Sequence, residues 1–278
     1  MRTIILGIIV FLLILGCQPR VEEENHFHSL AFDQTTSGVL YIATHHFLER
    51  HQDQEIIRLG RDDYMGFVIS KDGTFYSSGH SSRVPNVGIR KSMDKGKTWQ
   101  TLAYEGFDFH DMTVTYANPD IIYAWSTPPE ELLVVSKDAG QTWNEIETYF
   151  QQDLYSLAAD HQQENKLYAG SLLGLFVSED YGITWKEREN VRNTTILSIA
   201  DDPITTGTTY LSTFSRGILR TVDDGNTWEE INEGLPASKE NPLLFLTVDP
   251  TTGEVWGFTR YHEFFRYDGQ WNKMKIGD

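Results

Sequence analysis

Histidines that recur near aspartates are the residues of this chain best suited to chemistry. The chain has nine histidines, and five of them fall in segments that also carry carboxylates, namely His26, His28, His45, His80 and His110. Imidazole nitrogens bind zinc, copper, nickel and iron ions well, and carboxylates complete or orient such a ligand shell. These histidines therefore predict a transition-metal site, with hydrogen-bonded histidines that line a wet channel as the alternative.

Paired carboxylates would support a different chemistry. The candidates for a catalytic pair are four aspartates in the same segments, namely Asp63, Asp108, Asp111 and Asp153. Glycoside hydrolysis uses one carboxyl group as the acid and a second as nucleophile or base, and the distance between the two determines the outcome. Because that distance depends on the fold, the sequence leaves open whether the chain is an enzyme.

A repeated octapeptide predicts the elements that position these residues. SMDKGKTW, starting at Ser92, recurs as SKDAGQTW, SEDYGITW and TVDDGNTW, with starts separated by 44, 42 and 43 residues. In each copy an Asp can accept hydrogen bonds from its own turn, and a Gly supplies a backbone with positive φ. The Thr then re-enters a strand and the Trp packs between sheets. We therefore expect structural roles for the four aspartates, namely Asp94, Asp138, Asp180 and Asp223.

A second repeated element gives the number of sheets. An apolar strand with an aromatic residue occurs six times, starting at Val39, Thr74, Ile121, Lys166, Thr208 and Glu254. Short alternating apolar runs between turn signals indicate strands, and the period lies in the range of propeller repeats. We predict an all-β, six-bladed propeller over residues 26–278. A seven-bladed ring would require one repeat to be split.

The repeat register brings the histidines to one side. His28 and His110 align at the start of the first strand of their blades, and His45 and His80 align just past the second strand. Because these strands are antiparallel, all four side chains should lie at one mouth of the ring, with the box turns on the opposite side. His51, His161 and His262 fall outside this register, and we expect them to be solvated.

The first residues resemble a bacterial lipoprotein leader. Arg2 provides a basic start, and residues 4–15 are apolar apart from Gly7. This stretch is shorter than the roughly 20 residues that span a bilayer, so residues 1–16 read as an export signal. Residues 14–17 resemble a lipobox, which implies cleavage before Cys17 and its lipidation, with residues 17–25 as a tether. The expected location is the cell surface, on the outer side of the membrane.

Two further features of the composition exclude some possibilities. Cys17 is the only cysteine, so no intramolecular disulfide can form. The net charge of −17 at pH 7 makes nucleic acid a poor partner, because a polyanion would be repelled.

The four octapeptides resemble the Asp-box, or BNR repeat, of sialidases, sortilin-type receptors and photosystem II assembly and stability factors. The order of segments from HFHSLAFD through LYIATHH, DDYMGF, FYSSGH and RKSMDKGKTW to FDFHDM is similar to a family of bacterial propeller lipoproteins described as glycosyl hydrolases or exo-sialidase-like proteins. That resemblance implies the fold. The Phe/Tyr-Arg-Ile-Pro motif that carries the first arginine of sialidases is missing from the sequence, so we do not expect a typical sialidase.

Together these features predict a lipid-anchored binding or assembly module outside the cytoplasmic membrane, with a His/Asp site at the channel mouth. Its expected partners are the membrane, through the lipid, and an extracytoplasmic protein or glycan. The alternative is a glycan-active hydrolase that lacks the sialidase arginine triad.

Overall fold

The computed structural model describes residues 26–126, 131–148, 154–236 and 240–275. In this part of the chain, 24 strands form six four-stranded antiparallel sheets, each built from consecutive strands. The prediction of an all-β chain with six blades is confirmed, and no repeat is split into a seventh. A single turn of 3-10 helix, Glu189–Val191, lies between blades 4 and 5.

Each blade contributes four strands in chain order. Blades 1 to 3 comprise β1 Phe27–Phe32, β2 Val39–Thr44, β3 Leu48–Gln52, β4 Glu55–Leu59, β5 Asp63–Ile69, β6 Phe75–His80, β7 Ile89–Ser92, β8 Gln100–Ala103, β9 Phe109–Val114, β10 Ile122–Ser126, β11 Leu133–Ser136 and β12 Asn144–Ile146. Blades 4 to 6 comprise β13 Leu154–Ala159, β14 Leu167–Ser171, β15 Leu175–Ser178, β16 Lys186–Glu187, β17 Ile196–Asp201, β18 Thr209–Thr213, β19 Gly217–Thr221, β20 Glu229–Glu230, β21 Leu243–Val248, β22 Val255–Thr259, β23 Phe264–Tyr267 and β24 Trp271–Met274.

The first strands form the inner wall of the ring. Each first strand adjoins the first strand of the next blade, and β1 also adjoins β21, which closes the circle. The six apolar clusters of the core each lie at one blade boundary, because the alternating side chains of a strand pack against the neighbouring sheets. The core is therefore divided into six wedges around a central channel.

The Asp-boxes are hairpin turns with the same hydrogen bonds in all four copies. In the first box, Asp94 Oδ1 accepts from the Thr98 backbone N–H at 2.8 Å, and Asp94 Oδ2 accepts from the Thr98 hydroxyl at 2.7 Å. The Ser92 hydroxyl donates to Asp94 and accepts from the Gly96 N–H. The other three boxes repeat this pattern. Their four aspartates thus have structural partners.

The box tryptophans pack against the preceding blade. Trp99, Trp143, Trp185 and Trp228 join the clusters at successive boundaries, and Trp271 occupies the same place between blades 5 and 6. The boundary between blades 6 and 1 has no box tryptophan. It is packed instead by a cluster that includes Phe32, Leu40, Ile42, Phe258 and Phe264.

The predicted leader, the lipidated Cys17 and the tether of residues 17–25 lie outside the described residues. Within the described ranges, no helix has both the length and the apolar character that crossing a membrane requires.

Candidate functional site

The two sides of the ring carry different residues, as the repeat register predicts. The side where the first strands begin, which we call the histidine face, holds His28, His45, His80 and His110 near the channel mouth. The box turns join the third and fourth strands and so lie on the opposite side, which we call the box face. His26 is exposed just before β1, and its ring lies 5.5 Å from that of His45.

A β-bulge near the start of every first strand shapes the histidine face. The strand register shifts at the same place in all six blades. The extra residues are His28, Met65 with Gly66, His110, Tyr155, Leu197 and Leu244. A bulge re-aims the side chain that it carries, and five of these residues line the central cavity. The bulges thus present two imidazoles and a thioether at the mouth.

One cluster lies on the boundary between blades 1 and 2. His45 Nδ1 is 2.7 Å from Asp63 Oδ2, and His28 Nε2 is 3.7 Å from Asp63 Oδ1. Neither His28 Nε2 nor Asp63 Oδ1 has a hydrogen-bond partner among the described residues, although both atoms are buried. The three side chains offer ligand atoms that lie within 4.8 Å of one another, which makes this cluster a candidate for holding a metal ion.

A second cluster lies on the boundary between blades 2 and 3. Asp108 Oδ2 is 3.1 Å from His80 Nε2 and 2.8 Å from His110 Nε2. The other carboxylate oxygen, Asp108 Oδ1, is buried and has no hydrogen-bond partner in the described part of the chain. His80 Nδ1 contacts the carbonyl oxygen of Pro85 in the following loop.

The two clusters influence each other electrostatically. The pKa of His28 falls to about 4, chiefly because the ring is buried and then because His45, His110 and His26 would repel its positive charge. The Asp108 carboxylate opposes this shift. His28 is therefore neutral at pH 7, which is the form that binds metals.

Below the mouth, the inner strands enclose a cavity of about 580 Å³. Asp111 lines it, and burial raises the pKa of this carboxyl group to about 7. Asp111 Oδ2 accepts a hydrogen bond of 2.6 Å from the Leu157 N–H of the next blade. The equivalent Ser156 and Ser198 accept from the N–H of the following first strand in the same way. Asp111 thus ties blade 3 to blade 4.

The four predicted catalytic aspartates have different places. Asp63 and Asp108 belong to the two histidine clusters, and Asp111 lies deeper in the channel wall. Asp153 falls outside the described residues.

The expectation that His51 and His161 are solvated is wrong. His51 is buried on β3, where its Nε2 lies 3.1 Å from Glu49. His161 stacks on Tyr116 with ring centroids 3.9 Å apart, and burial lowers its pKa to about 4. His262 is exposed but lies with its ring 4.3 Å from that of Phe27. The ring contacts of His161 and His262 join different blades, so local sequence spacing gave no sign of them, whereas the contact between His51 and Glu49 lies within one strand.

Comparisons with known proteins agree with this architecture. A sequence profile described as the BNR-Asp box repeat matches residues 175–187, which form the box hairpin of blade 4. Six four-stranded blades form a closed ring, and four of them carry an Asp-box. The chain is a six-bladed Asp-box β-propeller. None of the curated protein sequences compared with it matches.

Several solved structures share the propeller fold. An ancestral GH74 enzyme superposes with a TM-score of 0.62 at 14% identity, over 90% of this chain and 38% of that one. The GH74 xyloglucanase from Xanthomonas campestris superposes with a TM-score of 0.61 at 16% identity, over 87% of this chain and 44% of that one. The structure of YCF48 bound to D1 peptide superposes with a TM-score of 0.59 at 15% identity, over 87% of this chain and 77% of that one. This propeller therefore spans less than half the length of the GH74 enzymes, and the likeness concerns the fold.

Proposed function

We propose that this propeller is a lipid-anchored binding module outside the cytoplasmic membrane, and that its binding site is the channel mouth on the histidine face. A transition-metal ion held by His28, His45 and Asp63 forms the centre of this site. The observation that carries the proposal is the pair of buried atoms without partners, His28 Nε2 and Asp63 Oδ1, which face each other at 3.7 Å.

The geometry of these atoms suits a shared cation. Two ligands bound at about 2.0–2.2 Å to one tetrahedral ion lie about 3.4 Å apart, close to the observed separation. The 2.7 Å contact between His45 and Asp63 has to lengthen slightly to admit the ion. Two imidazoles and one carboxylate favour zinc, copper, nickel or iron over magnesium or calcium. Three protein ligands leave a coordination position for a partner group.

The rest of the histidine face supports binding to a protein. Apolar side chains of blades 4 to 6 are exposed in the same face, namely Tyr155, Leu172, Leu173, Phe214 and Tyr261. Exposed apolar side chains grouped on one face are typical of interaction surfaces. YCF48, a propeller of the same fold, was solved with a peptide bound. We propose an extracytoplasmic protein that places a carboxylate or imidazole on the metal ion and an apolar segment on these loops.

Metal binding is the first test of this proposal. We expect Zn²⁺, Cu²⁺ or Ni²⁺ to raise the melting temperature of the purified protein. His28→Ala and His45→Ala should each reduce that rise, because each removes a ligand. His46→Ala is the matched control, since His46 belongs to neither cluster, and it should behave as the wild type. A melting temperature that none of these ions changes would contradict the metal site.

Partner binding requires a separate measurement. A partner recovered with the wild-type protein should be released by a chelator and should bind His28→Ala more weakly than His46→Ala. Equal recovery with all three proteins would show that the metal ion takes no part in recognition.

A glycan-active hydrolase remains the second candidate. Asp111 favours it, because a carboxyl group in a cavity wall with a pKa near 7 can donate a proton at neutral pH. Two of the similar structures are GH74 enzymes. The test is a broad screen of glycosides with the wild type, Asp63→Asn and Asp111→Asn. Turnover that both substitutions abolish supports the hydrolase, and a wild type without turnover counts against it.

A further inference from the structure

We propose that the channel mouth holds a second transition-metal ion, bound by His80, Asp108 and His110 at the boundary between blades 2 and 3. The inference rests on the proposed function, because it extends the metal chemistry of the first cluster to a separate set of ligands. The ion is a divalent late transition metal of the class that imidazole and carboxylate prefer, with Zn²⁺ as the probe.

The hydrogen bonding of His80 is the first reason. Its Nδ1 contacts the carbonyl oxygen of Pro85, which can only accept, so Nδ1 carries a proton. The other ring nitrogen, Nε2, lies 3.1 Å from the carboxylate oxygen Asp108 Oδ2. With Nδ1 engaged by the carbonyl, Nε2 is the nitrogen that can bind a cation shared with Asp108.

Asp108 gives an independent reason. Its Oδ2 atom is shared by two imidazoles, while its Oδ1 atom is buried without a hydrogen-bond partner among the described residues. A buried carboxylate oxygen without a partner is unfavourable, and a cation bound to the carboxylate offsets that cost. The contact from His80 to a backbone carbonyl is also what a metal-bound histidine commonly makes with its other ring nitrogen.

The two clusters use corresponding positions in neighbouring blades. His45 and His80 lie at or just past the end of a second strand, and Asp63 and Asp108 lie at or just before the start of the next first strand. A histidine from a bulge completes each set. The side chains of His80 and His110 are 40% and 37% exposed, so an ion can enter from solvent and the rings have room to turn toward it.

Metal stoichiometry tests the second ion directly. The purified protein is stripped with a chelator, dialysed against Zn²⁺, and analysed for zinc per chain by elemental analysis. We expect two zinc ions in the wild type and in His46→Ala. His45→Ala, His80→Ala and His110→Ala should each hold one, and the double variant His45→Ala/His110→Ala should hold none. Far-UV circular dichroism verifies that each variant is folded.

The possible outcomes separate the two proposals. One zinc ion that is lost in His45→Ala but kept in His80→Ala and His110→Ala overturns the second ion and leaves the proposed site intact. Loss of all zinc in every single variant indicates one shared centre and also overturns the second ion. A zinc-free wild type overturns both proposals. Replacement by Co²⁺ gives a further readout, because the visible absorption of the wild type should be about twice that of each single variant.

Discussion

At the residue level, the aspartate side chains of this protein have very different pKa values because their surroundings differ. Hydrogen bonds from Thr98 and Ser92 lower the pKa of the exposed Asp94 to about 2. Burial raises the pKa of Asp111 to about 7 and, with the nearby charge of Asp160, raises that of Asp201 to about 8. Hydrogen-bond donors favour the charged form and burial favours the neutral form. The box aspartates are thus held as anions, whereas Asp111 and Asp201 in the channel wall can hold a proton.

Asp201 should make the stability of the protein depend on pH. The unfolded chain releases this proton near pH 4, and the folded protein keeps it until about pH 8. The free energy of unfolding should therefore fall as the pH rises through this window, by up to about 1.4 kcal/mol per pH unit, and level off above it. Asp201→Asn should flatten this slope, because an amide does not titrate in this range. The fold should tolerate the change, since the amide can still accept from the His161 N–H and donate to the Thr209 hydroxyl oxygen.

Urea unfolding at pH 5, 6, 7 and 8 measures this effect. Asp53→Asn, at an exposed turn, is the control and should keep the wild-type profile. Equal slopes for the wild type and Asp201→Asn would mean that Asp201 is ionised in the folded protein.

At the level of the element, the box turn depends on its glycine. Gly140 has a φ of 82°, and a Cβ at this position would lie 2.6 Å from the Leu102 Cδ1 atom of the preceding blade. The residue before it, Ala139, also has a positive φ, of 56°. Two successive residues in the left-handed region reverse the chain so sharply that the tryptophan can pack against the neighbouring sheet.

Gly140→Ala should lower the free energy of unfolding more than Gly38→Ala does. Gly38 also has a positive φ, of 72°, but a Cβ there would meet nothing within 4 Å. Gly38→Ala should therefore cost only the left-handed conformation, about 1–2 kcal/mol. Gly140→Ala adds the contact with the end of the Leu102 side chain, which has to turn aside, for a further loss of up to about 1 kcal/mol. Chemical denaturation of both variants measures the difference, and equal losses would show that Leu102 moves aside freely.

At the level of the whole molecule, the ring closes between blade 6 and blade 1. Within the part of the chain that the structure describes, every sheet consists of consecutive strands, so no described strand links these two blades and their contact is made by side chains. The closing boundary relies on Phe258 and its neighbours and on a hydrogen bond of 2.9 Å between the hydroxyls of Ser37 and Thr251. The proposed metal sites span two other boundaries, between blades 1 and 2 and between blades 2 and 3.

Phe258→Ala should open the ring at this boundary. Phe258 is 1% exposed, and removing a buried phenylalanine ring costs about 3–5 kcal/mol. Phe75→Ala, at the boundary between blades 1 and 2, is the matched control. Hydrogen exchange should speed up at the amides of β1 and β21 in Phe258→Ala more than in Phe75→Ala. The same exchange pattern in both variants would mean that the ring opens without preference for the closing boundary.

The sequence was sufficient for the repeat but not for contacts between blades. The four boxes and the six apolar strands predicted six blades, and their register placed the four histidines at one mouth, because these features follow from a regular period. Two separate clusters were not predicted, since they arise from bulges and from side chains of neighbouring blades. Likewise, Asp111 reads as a catalytic candidate in the sequence, and only its bond to Leu157 relates it to Ser156 and Ser198.

The consecutive order of strands within each blade also determines how the chain can assemble during synthesis. Each sheet is complete once its own four strands have left the ribosome, so the blades can form one after another as an open arc. Blade 1 must then keep Phe32, Leu40 and Ile42 uncovered until Phe258 and Phe264, synthesised more than 200 residues later, arrive to cover them. Until then the nascent arc presents an apolar surface at this edge for longer than at any other blade boundary, which makes it the edge most in need of shielding from aggregation.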